Sequence, residues 1–186
     1  MGGEGVGEEE WCARVRRVEV SEGTLRSLVL DWLLVEGHSE AACALMQEAG
    51  AHSDVDLQSV AERMAIRRAV QAGEIEAALP RLARLAPSLL ASNPSLHFRM
   101  KQLEAIEMIR HGRIEGAIEY AQTQLAPLVE AAHHLLPELE RTMMLLAYQD
   151  IESCPEARLL SPEHRLEAAS ELNAAILAAQ NQESES

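Results

Sequence analysis

Glu130, His133 and His134 have the types and spacing closest to a known chemistry. A glutamate three positions before a histidine is the half-site of a di-metal helical bundle, which needs the pair twice and two further glutamates. The second ExxH is missing here, so the three residues read by default as solvated groups near a helix end. Glu104, Glu107 and His111 read as an exposed face with charges complementing a helix end. Carboxylate pairs are common on helices of this composition and make no case for acid–base catalysis. GxGxxG, GxxxxGKS and GxSxG are absent. Cys12, Cys43 and Cys154 are far apart, without CxxC spacing, and suggest neither a disulfide framework nor a zinc knuckle. That usage fits a reducing compartment, and Cys43 reads as packing in an Ala-rich helix. No catalytic residue, cofactor or metal is expected.

The composition points away from several partners. Sixteen basic residues against 30 acidic ones leave a net charge of −14. Such a surface repels nucleic acid and anionic membrane and chiefly serves solubility. Lys101 is the one lysine, a bias that Arg-rich usage accounts for. Hydrophobic residues make up 47% and aromatics 3%, so a core of Leu, Ile, Val, Met and Ala is expected. No stretch alternates with period two, and the Ala, Leu, Glu and Arg content favours helix. The acidic N-terminal stretch 1–20 lacks a secretory or myristoylation pattern and reads as largely flexible. LVLDWLLVEG is too short to span a bilayer. A soluble, intracellular protein is expected.

Any site must be positioned by helices. Leu25, Leu28, Trp32 and Leu33 share one face of a helix that Gly37 should end as a left-handed residue. Ser39 should cap a second helix carrying Ala41, Ala42 and Leu45, ended by Gly50. A hairpin this small cannot bury both faces alone. Two copies about a two-fold axis would form a four-helix core with Trp32 at its centre; intramolecular packing is the alternative. Asp54 or Asp56 should cap a helix over 57–72, with Val60, Met64, Ala69 and Val70 as apolar residues.

GEIEAAL at Gly73–Leu79 returns as GRIEGAI at Gly112–Ile118, 39 residues later. Each glycine supplies a positive φ at the bend of a helical hairpin. Ile, Ala and Leu or Ile then form the first buried turn of the next helix, so the unit repeats as stacked helix pairs. Between the copies, a helix over 95–111 uses Leu96, Leu103, Ile106 and Ile109. Downstream come a kink near Pro127, a helix with Leu136, Leu139, Met143 and Leu146, and a loop at Cys154–Pro155. A last helix starts at Ser161-Pro162-Glu163, carrying Leu166, Ala169, Leu172 and Ile176.

TLRSLVLDWLLVEGHSEAACALMQEAG resembles a LisH motif, with Leu25, Leu28, Trp32, Leu33, Gly37, Ala42 and Leu45 at its marker positions. Aromatic residues are usual where His38 and Leu45 stand. DLQSVAERMAIRRAVQAGEIEAALPRLARLAPSLL and the stretch through Ala126 resemble a CTLH domain. AIEYAQTQLAP and LERTMMLLAY resemble the start of a CRA region. From Trp11 to about Leu177 the chain is similar to the Twa, or Gid-protein-eight, family of small LisH–CTLH–CRA subunits of the GID/CTLH ubiquitin ligase.

The resemblance implies an all-α fold, a LisH hairpin followed by stacked antiparallel helix pairs in a CTLH–CRA bundle. It implies LisH at 21–51, CTLH at 52–127 and part of the CRA region at 128–186. Family members continue beyond SELNAAILAAQNQESES with another helical segment, so an exposed apolar edge is expected near Leu172 and Ile176. The implied function is a non-catalytic scaffold in ubiquitin-dependent degradation. Its implied partners are RING-type LisH–CTLH subunits, a Ran-binding-protein-like SPRY–LisH–CTLH subunit and an armadillo-repeat subunit. Homo- or hetero-dimerisation would use Leu25, Leu28, Trp32, Leu33 and Leu45. Other readings are a LisH-dimerising adaptor unrelated to ubiquitin, and a small metalloprotein built on 130–134.

Overall fold

The structure, a computed structural model, describes Gly7 and residues 10–12, 20–49 and 56–184. Gly50 and Asp54, expected to end one helix and cap the next, lie outside the described residues, as does most of the stretch 1–20. The chain divides into two compact units, Met1–Leu57 and Gln58–Ser186. Both are helical, and among the described residues there is no strand.

In the first unit, α1 (Glu22–Glu36) and α2 (Ser39–Ala49) form a hairpin. The Ser21 hydroxyl accepts the Thr24 N–H at 3.1 Å, capping α1. Gly37 ends α1 at φ 84°, and its N–H returns to the Leu33 carbonyl. Only glycine takes that conformation cheaply. The Ala42 N–H donates to the His38 carbonyl, so α2 starts one residue before its expected cap and Ser39 is already helical.

The second unit is organised around one helix. Its elements are α3 (Leu57–Ala72), α4 (Ile75–Leu85), a turn α5 (Leu89–Ser92), α6 (Pro94–Arg110) and α7 (Ile114–Tyr120). After a π segment (Ala121–Leu125) come α8 (Ala126–Ala131), α9 (Leu136–Met144) and α10 (Pro162–Ser184), with short 3-10 turns between α8, α9 and α10. Asn93 caps α6 by accepting the Leu96 N–H at 3.0 Å, with Pro94 in the first turn. Buried residues lie on every side of α6, as expected for a helix surrounded by others. Leu96, Met100 and Leu103 belong to a core shared with α3, α4 and α10. Phe98 and Ala105 pack with Leu125, Val129 and Leu135. Ile106 and Ile109 pack with Ala117, Leu145, Cys154 and Leu159. The buried Gln102 amide ties α6 to α9, donating to the Thr142 hydroxyl at 2.9 Å.

The kink near Pro127 takes the form of a widened turn. Pro127 has no N–H for the preceding turn, and its ring crowds the carbonyl four residues back. The Ala126 N–H instead reaches the Ala121 carbonyl, five residues back.

Several expectations on the C-terminal helices need correction. Leu172 and Ile176 form no exposed edge; each is 1% exposed, within the largest core. The reason is that α10 returns antiparallel along α3. Arg63 Nη1 donates to Asn173 Oδ1 at 2.6 Å, and Gln180 Nε2 donates to Ser59 Oγ at 2.6 Å. Leu166 and Leu136 are exposed, because the buried stripes run instead through His164, Ala168, Ala169 and Leu172, and through Leu135, Thr142 and Leu145.

The two glycine strings share a backbone but not a packing role. Gly73 and Gly112 sit at φ 83° and 71°. In the first copy Ile75 and Ala78 are buried and Leu79 half-buried, covered in part by α10. In the second only Ala117 is buried; Ile114 and Ile118 are 38% and 39% exposed. A Cβ on Gly73 would lie 2.8 Å from Arg165 Nη1 and 3.0 Å from the Glu107 carboxylate, whereas one on Gly112 meets nothing within 4 Å. Gly112→Ala is therefore expected to cost about 1 kcal/mol, from the backbone alone. Gly73→Ala should cost about 2 kcal/mol, because it also displaces an ion pair. Urea unfolding of the two variants checks the order; equal midpoints would contradict it.

Candidate association surface

In α1 the apolar residues outnumber what one buried face can take. Leu30 and Leu34 are buried. Leu25, Leu28, Val29, Trp32 and Val35, at helical spacings of three, one, three and three, are exposed on the opposite side. Trp32 is 57% exposed, and its ring stands 5.5 Å from that of His38. The rim is polar: Arg26 pairs with Glu22 at 2.5 Å, and Asp31 is exposed beside Trp32. A contiguous apolar stripe bounded by charges marks a surface built to meet another apolar one.

The structure brings Leu25, Leu28 and Trp32 onto this stripe. Leu33 and Leu45, expected with them, are half-buried. Val29 and Val35 belong to the stripe and were missed; extending the spacing from Leu25 and Trp32 by four and three would have found them. Gly37, like Gly73 and Gly112, has the positive φ expected of it.

Glu104 and Glu107 do not form an exposed face. Glu107 is buried, accepting from Arg110 Nε at 3.1 Å and from Arg165 Nη1 at 3.4 Å. α10 supplies the second of these countercharges. The Tyr120 hydroxyl donates to Glu104 Oε2 at 2.5 Å. Burial, then the Glu104 carboxylate, push the Tyr120 hydroxyl far above its ordinary range. Lys101 completes the cluster, 4.0 Å from Glu104 and 5.4 Å over the Tyr120 ring. These carboxylates are anchored to their neighbours, an arrangement suited to holding helices in register.

Glu130, His133 and His134 are exposed, and His134 Nε2 stands 3.2 Å from Ser95 Oγ. Among the described residues no group of three or more His, Cys, Asp or Glu could hold a metal ion. Cys154 is buried and Cys43 half-buried; all three cysteines are free. No helix among the described residues is long and apolar enough to cross a membrane.

Comparison with known proteins bears on the same two units. A family model described as "CTLH/CRA C-terminal to LisH motif domain" matches residues 59–186, nearly all of the second unit. The chain is similar to the protein GID8 homolog of Arabidopsis thaliana, 41% identical over 94% of this chain and 72% of that protein. It is similar to the glucose-induced degradation protein 8 homolog of Dictyostelium discoideum, 39% identical over 96% of this chain and 78% of that one. GID complex subunit 8 of Schizosaccharomyces pombe is 29% identical over the same shares. These alignments extend through the hairpin as well as the α6-centred unit.

Proposed function

This chain belongs to the GID8 family, and on that premise we propose that it is a non-catalytic subunit of a GID-type ubiquitin ligase. Its work is geometric. It links RING-type LisH–CTLH subunits to a substrate-receptor arm that includes a SPRY–LisH–CTLH subunit and an armadillo-repeat subunit. Holding the two arms together raises the effective concentration of substrate near the charged conjugating enzyme. The complex would act in the cytoplasm and nucleus.

The observation that carries this reading beyond family membership is the exposed stripe Leu25, Leu28, Val29, Trp32 and Val35 on α1. Its occupant would be the equivalent helix of a second LisH hairpin, from another copy or another subunit. Such pairing gives a four-helix core in which each hairpin buries the face it cannot cover alone. Leu33 and Leu45, half-buried, would line the base of that core.

Affinity capture of the chain from its native extract, with mass spectrometry of bound proteins, tests the reading. RING-bearing and SPRY-bearing LisH partners are expected at near-stoichiometric amounts. A folded bait that retains neither would overturn it.

A further inference from the structure

In a chain of net charge −14, three arginines from three elements converge on one cavity. It has a volume of about 310 Å³ and is lined by Arg99 of α6, Arg141 of α9, Arg158 of the 157–160 turn, and His164 in the first turn of α10. His164 is 8% exposed, and its Nε2 has no hydrogen-bond partner; the buried Nε of Arg99 has none either. We propose that this cavity binds a phosphate monoester, either free or carried on a side chain of a partner.

The walls also carry Glu138, Glu163 and Glu167, so the charges must be followed pair by pair. Arg141 is held by Glu138 at 3.0 Å. Arg158 is 3.6 Å from Glu156, and its side chain is 70% exposed. Arg99 stands 3.9 Å from Glu167, whose side chain is 73% exposed. The last two contacts are longer than a hydrogen bond. Each has one largely exposed partner, Arg158 in the first and Glu167 in the second, so Arg158 and Arg99 can turn to a better acceptor at modest cost. Glu163 caps its own helix end. Its own backbone N–H and the Ser161 hydroxyl hold its carboxyl below the usual range. The ligand would therefore be taken by the guanidiniums and the imidazole rather than by the helix terminus.

The class of ligand follows from that donor set. A single carboxylate is matched by one guanidinium, a role Glu138 already fills for Arg141. A phosphate monoester brings close to two negative charges and three acceptor oxygens, enough to draw Arg99, Arg158 and the buried imidazole together. The field inside the cavity agrees. Burial first, then the positive charge of Arg99, hold the His164 pKa down at about 4; Glu138 opposes them, and Arg158 adds a smaller lowering. An anion at this place would relieve that positive field. The site is independent of ligase membership.

The test follows the His164 ring resonances of the full chain by NMR. The probes are inorganic phosphate, a short phosphoserine peptide and its unphosphorylated form. A saturable shift in the millimolar range is expected with phosphate, and none with the unphosphorylated peptide. Glu167→Gln, which frees Arg99, should tighten binding about threefold. Arg158→Gln should weaken it about tenfold. Both side chains are exposed, so both variants should fold. Tighter binding of the phosphopeptide than of phosphate would identify a partner side chain as the source; equal binding would identify a free phosphate. Absence of saturation by ~10 mM, or identical curves for both variants and the parent, would overturn the site.

Discussion

Trp32→Asp is expected to leave the fold intact and abolish association. The side chain is 57% exposed in the isolated chain, so replacing it removes little folded-state packing. In an interface the same position becomes a buried, unpaired carboxylate, costing several kcal/mol. Tryptophan is also the residue type most often found at the energetic centre of an interface. Together these should weaken association by at least about a hundredfold. Light scattering on the purified variant and repeated capture from extract measure it. Wild-type mass and partners in the variant would remove α1 from the account of assembly. Leu30→Asp makes the contrast: Leu30 is 1% exposed, so that change should damage the fold itself.

Leu172→Ala should destabilise the α6-centred unit by about 3 kcal/mol, the usual cost of emptying a leucine-sized space in a packed core. Leu172 is 1% exposed among Ile66, Val70, Ala168, Ala169 and Ile176. The melting temperature should fall by on the order of 10 °C. Leu166→Ala, one helix face away and 47% exposed, should change it little. Thermal unfolding of the pair separates a closing helix from an open edge. An unchanged Leu172→Ala would mean that α10 contributes no closure.

What could be read in the sequence was local. The glycine turns at 37, 73 and 112 were legible because a positive φ selects glycine whatever surrounds it. The bounds of α3 were legible because its period and punctuation lie within sixteen residues. The fate of apolar faces was harder. α1 is apolar on two sides, and periodicity alone cannot say that Leu30 and Leu34 are covered while Leu28 and Trp32 are not. The two copies of the glycine string look alike, yet α10 helps cover only the first. Glu107 reads as a surface residue until Arg165, 58 positions later, is placed beside it. Leu172 and Ile176 were misjudged for the same reason, since the surface that receives them lies on α3 and α6. The arginine cavity was also hidden, because Arg99, Arg141 and Arg158 share no motif.

The antiparallel return of α10 along α3 has a consequence for how the chain is made. Arg63 meets Asn173 across 110 positions, and Ser59 meets Gln180 across 121. Contacts that distant form late and carry a loop-closure cost that local helix pairs do not. On the ribosome, α3 and α4 emerge long before the helix that covers them. Ile66, Val70 and Ile75 can pack with α6 as it emerges, but they stay partly uncovered until residues near 176 clear the exit. For that interval the nascent chain presents the kind of apolar helical surface that chaperones bind. Slowing translation between α4 and α10 should therefore lower the yield of soluble protein more than the same delay after α10.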